Sequence, residues 1–203
     1  FKLWECALDL IAFLQSKQIV LKGSSVADIG CGHGLPGIYA LQQGADHVAF
    51  QDLNEEVLLY ATCTNILLNT DVKSETLCTQ NDATNRVTFF AGDWSSPSLV
   101  DSMQAAHYDF IFTSDTLYSL ASMSQLLELL LVLLKPETGV AYVAAKRYYF
   151  GVGGSTAAFL DLCKRRGGVA CKMVHTVVDG QSNIREIFEV KTCLLYTSDA
   201  ADE

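Results

Sequence analysis

Val26-Ala27-Asp28-Ile29-Gly30-Cys31-Gly32-His33-Gly34 decides the architecture of this 203-residue chain. An apolar run ends in an acid and opens at once into a turn with glycine at every second position. Glycine is the residue that tolerates the left-handed backbone such a turn needs. A helical pattern follows over residues 35–43, with Pro36 in its first turn, where a missing N–H costs little, and Gly44 to end it. A second apolar run over residues 47–51 then stops at Asp52. Strand, glycine-rich turn, helix, strand is the opening unit of a parallel α/β sheet.

Outward from that unit, the same alternation continues. Residues 3–16 carry apolar side chains at a helical period. A third helix is expected over residues 55–68, started by Asp52 or Asn54 as cap. Residues 70–86 are polar and aperiodic, and read as a mobile surface insertion. Strands are expected at 87–91, at 108–114 and at 139–145; the second of these is apolar throughout its centre, as a strand covered on both faces should be. A helix over residues 123–134 stops at Lys135-Pro136, and another spans 155–166 with Gly154 or Ser155 near its cap. Residues 169–177 and 183–193 read as an antiparallel pair, because the connection at Asp179-Gly180 is too short for a crossover helix. The expected fold is α/β and Rossmann-like: one mostly parallel sheet, helices on both faces, and a C-terminal antiparallel hairpin.

Composition narrows the function. Fourteen Lys and Arg face 23 Asp and Glu, a net charge of −9, which disfavours free nucleic acid as a partner and suits a basic protein. The longest apolar run, residues 126–134, contains Glu128 and is far too short for a membrane span. The seven cysteines form no Cys-x-x-Cys pair and read as reduced intracellular thiols. The four histidines are scattered without ligand spacing, so no metal site is expected. Both ends look cut. Residues 193–203 resemble a translated sequencing adapter, which leaves 1–192 as one domain truncated at its N-terminus.

The acid before the glycines distinguishes between ligands. A nicotinamide site admits a pyrophosphate against a helix N-terminus, and a carboxylate at Asp28 would repel it. The same carboxylate suits an ammonium. S-adenosylmethionine carries an ammonium and a sulfonium and no phosphate, so it is the expected cofactor. Asp52, 24 residues after Asp28, is placed to accept both ribose hydroxyls, or to cap the following helix, or both. Asp93 is a candidate for the adenine amine with Trp94 along the ring edge, although a tryptophan there also suits the core.

These motifs carry a resemblance. The chain resembles the seven-stranded S-adenosylmethionine-dependent protein methyltransferases, and within them the eukaryotic histidine protein methyltransferases that act on a ribosomal protein. The matching blocks are Leu3-Trp4-Glu5-Cys6 with Asp9-Leu10, the run from Asp28 to Ile38, Phe50-Gln51-Asp52-Leu53-Asn54, and Gly92-Asp93-Trp94-Ser95. They continue with the run from Asp109 to Tyr118 and with Ala145-Lys146-Arg147-Tyr148-Tyr149-Phe150-Gly151-Val152-Gly153-Gly154. The resemblance implies that Trp4 and Glu5 help close the cofactor site. It places Asp28, Gly30, Gly32, Gly34, Asp52, Asn54, Asp93, Trp94 and Ser114 around the cofactor, and residues 115–118 toward the target side chain. The sequence departs at Asp93 and Asp115, where relatives often carry glutamate, and at His33, which replaces a small residue.

Methyl transfer needs donor sulfur, methyl and nucleophile nearly in line and shielded from water. A neutral imidazole is already a nucleophile and needs only orientation. Asp115 is the candidate to accept its other N–H, or alternatively to cap the helix that follows. Tyr118 is a candidate wall of the acceptor pocket, and Tyr149 belongs to an aromatic loop suited to acceptor recognition. Lys146 and Arg147 read as a solvated edge. A lysine protein methyltransferase, and an inactive cofactor-binding chaperone or scaffold, are the alternatives. The expected partner is a ribosomal protein, the expected state a monomer, and the expected location the cytoplasm and nucleus.

Overall fold

The computed structural model describes residues 2–74, 85–104, 107–180 and 182–193. The chain forms α1 (Glu5–Ser16), β1 (Ser25–Ile29), α2 (Leu35–Gln42) and β2 (His47–Asp52). Next come α3 (Glu55–Val57), a π-helical turn (Leu58–Thr62) and α4 (Cys63–Asn69), then β3 (Val87–Ala91) and α5 (Pro97–Gln104). The remainder is β4 (Phe110–Ser114), α6 (Leu120–Leu133), β5 (Val140–Lys146), α7 (Thr156–Arg166), β6 (Val169–Val177) and β7 (Arg185–Thr192). Seven strands form one sheet in the order β3-β2-β1-β4-β5-β7-β6. Only the pairings made by β7 are antiparallel, as the short Asp179-Gly180 connection required.

Strand alternation sorts the core into two layers. Ala27, Ile29, Ile111, Ala141 and Val143 face one side, against Leu126, Leu130 and Phe159 of α6 and α7. Val26, Phe50, Phe112 and Tyr142 face the other, against Leu10, Phe13 and Ile38 of α1 and α2. Removing a side chain such as the fully buried Phe112 from water contributes about 2 kcal/mol. The edge strand β6 alternates exposed and half-buried residues instead, because only one of its faces is covered.

Three elements differ from the sequence reading. The third helix is not regular: Leu58–Thr62 is wound as a π turn, which inserts a residue and rotates Thr62 and Asn65 toward the glycine turn. Helix α5 has no counterpart in the reading, because its buried anchors are just Leu99 and Met103, one turn apart in a serine-rich stretch. Strand β4 begins at Phe110 rather than at 108; Tyr108 makes only an isolated bridge to Leu134. Of the polar stretch at 70–86, residues 75–84 lie outside the described residues, as do 194–203. Cys193 donates its N–H to the Gly168 carbonyl at 2.9 Å.

Candidate functional site

The strand order reverses between β1 and β4, and the crevice outside the carboxyl ends of those strands is where open α/β sheets hold ligands. Two clusters of side chains flank it. One is built around the glycine turn after β1, the other around Asp115 after β4.

In the first cluster, Asp28, Phe50 and Asp52 share a sheet face, since Asp28 pairs with Phe50 and side chains alternate. Asp28 is 1% exposed. Its Oδ2 accepts the Gly37 N–H at 3.0 Å; its Oδ1 is buried with no hydrogen-bond partner among the described residues. Burial pushes this carboxyl up to about 8, against the pull of the Gly37 N–H and with help from the Asp52 charge. Burial thus favours the protonated form of Asp28 in the free protein, and a cation beside it would favour the anion. Asp52 is less buried, and its two oxygens are divided: Oδ2 accepts from the Gly32 N–H at 3.0 Å and Oδ1 from the Asn54 N–H at 3.1 Å. Asn54 is the N-cap of α3 by backbone alone, with no capping bond from its side chain.

The glycine turn is held from all sides. Gln51, fully buried, accepts the Gly30 N–H at 3.2 Å and the Trp94 indole N–H at 2.9 Å on one oxygen, and donates to the Gly92 carbonyl at 2.8 Å. Thr62 donates to the Gly32 carbonyl at 2.8 Å and Asn65 to the His33 carbonyl at 3.0 Å. Both depend on the π turn. Gly30, Gly32 and Gly34 all have positive φ, and Gly34 is the N-cap of α2. At Gly30 a Cβ would stand 2.7 Å from Thr116 Cγ2, whereas at Gly32 it would meet nothing within 4 Å. The turn is thus packed beneath and open above Gly32.

Trp94 joins the core and the site together: it packs on the layer of α6 while its ring lies near Gly30. With Leu53, Gly92, Asp93 and Tyr118 it lines a cleft of about 80 Å³, room for part of a ring rather than for a whole nucleoside. Asp93 is exposed, and its Oδ1 accepts from the Ser95 hydroxyl at 2.5 Å and the Ser95 N–H at 2.8 Å. Those bonds hold its carboxyl below the usual range.

The second cluster is a closed knot. Asp115 follows Ser114, the last residue of β4 opposite Ala144 of β5, and adopts φ 56°, unusual for a residue other than glycine. Its side chain is 5% exposed. Oδ2 accepts the Cys6 N–H of α1 at 3.1 Å; Oδ1 accepts the Tyr149 hydroxyl at 3.0 Å, with Lys146 Nζ at 3.5 Å. Asp115 therefore caps α1, not the helix expected at 123–134 that was its alternative role. Tyr149 also accepts the Lys146 N–H at 3.1 Å, and burial followed by the Asp115 charge pushes its hydroxyl far up. Tyr118 stands apart from the knot, 46% exposed.

Lys146 is not part of a solvated edge, and Arg147, its side chain 37% exposed, is held in an ion pair. Lys146, its side chain 13% exposed, pairs with Glu5 at 2.8 Å and lies 4.6 Å from the centroid of the Trp4 ring. Burial works against its charge, yet the Glu5 bond and the Asp115 charge raise it overall, and Lys146 in turn lowers Glu5. Arg147 pairs at 2.5 Å with Glu186, itself buried. A lysine and an arginine after an apolar strand look exposed in sequence because their partners, Glu5 and Glu186, are more than 30 residues away. Gln51 did leave a signal, a polar residue inside a run that otherwise reads as a buried strand; Thr62, Asn65 and Thr116 left none.

A family model described as lysine methyltransferase matches residues 1–165. The chain belongs to this family. Among known proteins it is 42% identical over 191 residues to a histidine protein methyltransferase 1 homolog of Dictyostelium discoideum, covering 94% of this chain and 57% of that protein. It is 34% identical over 198 residues to the homolog of Bos taurus, covering 88% of this chain and 52% of that protein. The chain thus spans little more than half the length of these relatives. Magnesium protoporphyrin IX methyltransferase of Synechocystis, solved with S-adenosylhomocysteine bound, shares the fold at TM-score 0.62 and 18% identity over 91% of this chain and 80% of that one. No helix among the described residues is long and apolar enough to cross a membrane.

Proposed function

We propose that this chain is the catalytic domain of an S-adenosylmethionine-dependent protein methyltransferase that modifies a histidine side chain of a ribosomal protein. The observation that carries the donor assignment is the pairing of a buried, half-satisfied carboxyl at Asp28 with a turn left open at Gly32 and anchored by Asp52. A buried oxygen without a partner is costly, and the ammonium of an amino acid supplies one. Asp52 keeps unused lone pairs for ribose hydroxyls, and the cleft beside Leu53 and Trp94 takes the edge of the adenine. When bound, S-adenosylmethionine supplies an electrophilic methyl on sulfur. Asp28, Gly30, Gly32 and Gly34 fix the amino-acid end, and Gln51 ties that end to Trp94 so that both halves of the ligand meet one rigid surface.

The acceptor side favours imidazole over amine. Each Asp115 oxygen already accepts a protein N–H or O–H, and Lys146 lies beside it. A lysine acceptor arrives as an ammonium with a pKa near 10.4 and must lose a proton first; beside Asp115 it finds the like charge of Lys146 and a carboxylate already engaged on both oxygens. A histidine arrives largely neutral at pH 7 and needs a fixed frame. Asp115 and Tyr149 provide that frame, and Tyr118 a wall. The homology to histidine protein methyltransferases supports this reading, while the description of the family model supports lysine as the second one. A ribosomal acceptor is basic, which suits the charge of −9, and places the enzyme, a monomer in this reading, in the cytoplasm and nucleus. The domain itself is taken as residues 1–192.

Incubation with S-adenosylmethionine and purified ribosomal proteins, followed by tandem mass spectrometry, tests the assignment. A methyl group on a histidine ring nitrogen is expected. Methyl-lysine would establish the second reading, and donor binding without transfer to any acceptor would establish a scaffold.

A further inference from the structure

We infer that Lys146 is a positioning residue that latches the Trp4–Glu5 end of α1 over the carboxyl edge of β4 and β5, and so governs how long the methyl donor stays bound. The inference rests on the donor site proposed above and adds to it a part that the sequence motifs do not assign.

Four observations converge on this side chain. Lys146 is the last residue of β5, so its backbone is fixed by the sheet. Its ammonium spans two carboxylates from distant parts of the chain, Glu5 at 2.8 Å on α1 and Asp115 at 3.5 Å after β4. It also faces the Trp4 ring at 4.6 Å, whose other cation neighbour is Lys2 at 4.3 Å. Finally, the N-terminal turn of α1 has no side-chain cap of its own, so its Cys6 N–H depends on Asp115, the same carboxylate that Lys146 holds.

The position of this assembly gives the latch its purpose. Asp115 stands one residue before Thr116, whose Cγ2 lies against Gly30. The end of α1 is thereby linked to the glycine turn through Asp115 and Thr116. Cys6 and Ala7 bury the first turn of α1, but Trp4 ahead of it is 47% exposed and Leu3 42%, apolar surface that packing covers only in part. What holds it is charge: two ion pairs and one cation–π contact meet at a single ammonium, and one of the two carboxylates makes the capping bond. Partly desolvated contacts of this kind are individually modest, enough to keep a short segment closed and little enough to let it open for ligand exchange.

Three proteins test this: the wild type, Lys146→Met, which keeps the length without the charge, and Lys146→Arg, which keeps charge and ring stacking. Two readouts are taken, hydrogen exchange at the Cys6 amide in the free protein and the dissociation rate of S-adenosylhomocysteine. Lys146→Met is expected to speed both by about tenfold with a melting temperature close to the wild type, and Lys146→Arg to restore both. The inference is overturned if Cys6 exchanges at the wild-type rate in Lys146→Met, or if Lys146→Arg is as impaired as Lys146→Met. A wild type that shows the exchange response and binds no S-adenosylhomocysteine would overturn the donor-site reading and the latch's role in ligand retention, while leaving the Lys146 contact to α1 in place.

Discussion

The two sides of the crevice solve the problem of a buried carboxylate in opposite ways. On the β1–β2 side, Asp28 keeps one oxygen unpaired and Asp52 spends its oxygens on single backbone N–H groups. On the β4–β5 side, Asp115 is engaged on both oxygens, by Cys6 and Tyr149, with the Lys146 ammonium beside it. An unsatisfied carboxyl is tuned to a visiting cation, whereas a satisfied one is a fastener. In the proposed function that difference separates binding from framing: the first side takes the donor, and the second holds the walls around the acceptor.

The contrast is sharpest at two glycines. At Gly154 a Cβ would lie 2.0 Å from the Leu117 carbonyl oxygen and 2.4 Å from the Tyr118 carbonyl carbon, where rigid backbone cannot yield. Gly154→Ala is therefore expected to cost about 3 kcal/mol or more, read as a drop in the urea midpoint; a change below measurement would show that the second side is looser than described. At Gly32 the space is open and only the positive φ is strained. Gly32→Ala is expected to cost about 1 kcal/mol of stability. It should nonetheless weaken S-adenosylhomocysteine binding by about tenfold or more, the equivalent of 1.4 kcal/mol, because the methyl occupies the ligand's approach. Equal stability losses at the two positions would erase the distinction.

Asp28 gives the comparison a pH signature. Its carboxyl titrates at about 8 in the folded protein against 3.8 for the ordinary side chain. Between those values the folded protein keeps a proton that the unfolded chain has released, so the Asp28 contribution to stability falls as pH rises. Asp28→Asn is expected to flatten the decline of melting temperature from about pH 6 to about pH 8 by a few degrees. Ligand binding runs the other way: a cationic donor prefers the ionised carboxylate, so its affinity in the wild type should strengthen as pH rises toward 8. A wild type and an Asp28→Asn protein with superimposable melting profiles would break this account of the first side.

How much of this was legible in the sequence follows the same division. The strands, the glycine turn and the places of Asp28 and Asp52 at strand ends come from periods of two residues and from local turn chemistry, which a sequence displays; that the two acids share a face needed the register of β1 with β2. The site on the second side comes from contacts at long separation. Lys146 meets Glu5, Arg147 meets Glu186, and Asp115 reaches Cys6; no local pattern announces such pairs. The π turn at 58–62 hid Thr62 and Asn65 for a related reason, since the spacing on either side of it is an ordinary helical one. At Asp115 the capping role open in the sequence was the helix after it, whereas the residue, with its left-handed backbone, caps the helix at the start of the chain.

Calorimetric titration with S-adenosylmethionine tests the central claim most directly. The wild type should bind with one site per chain, and Asp28→Ala and Asp52→Ala should each weaken binding by about a hundredfold, as expected for a lost hydrogen bond to a charged group, while the folded state survives. Wild-type affinity in both variants would contradict the account.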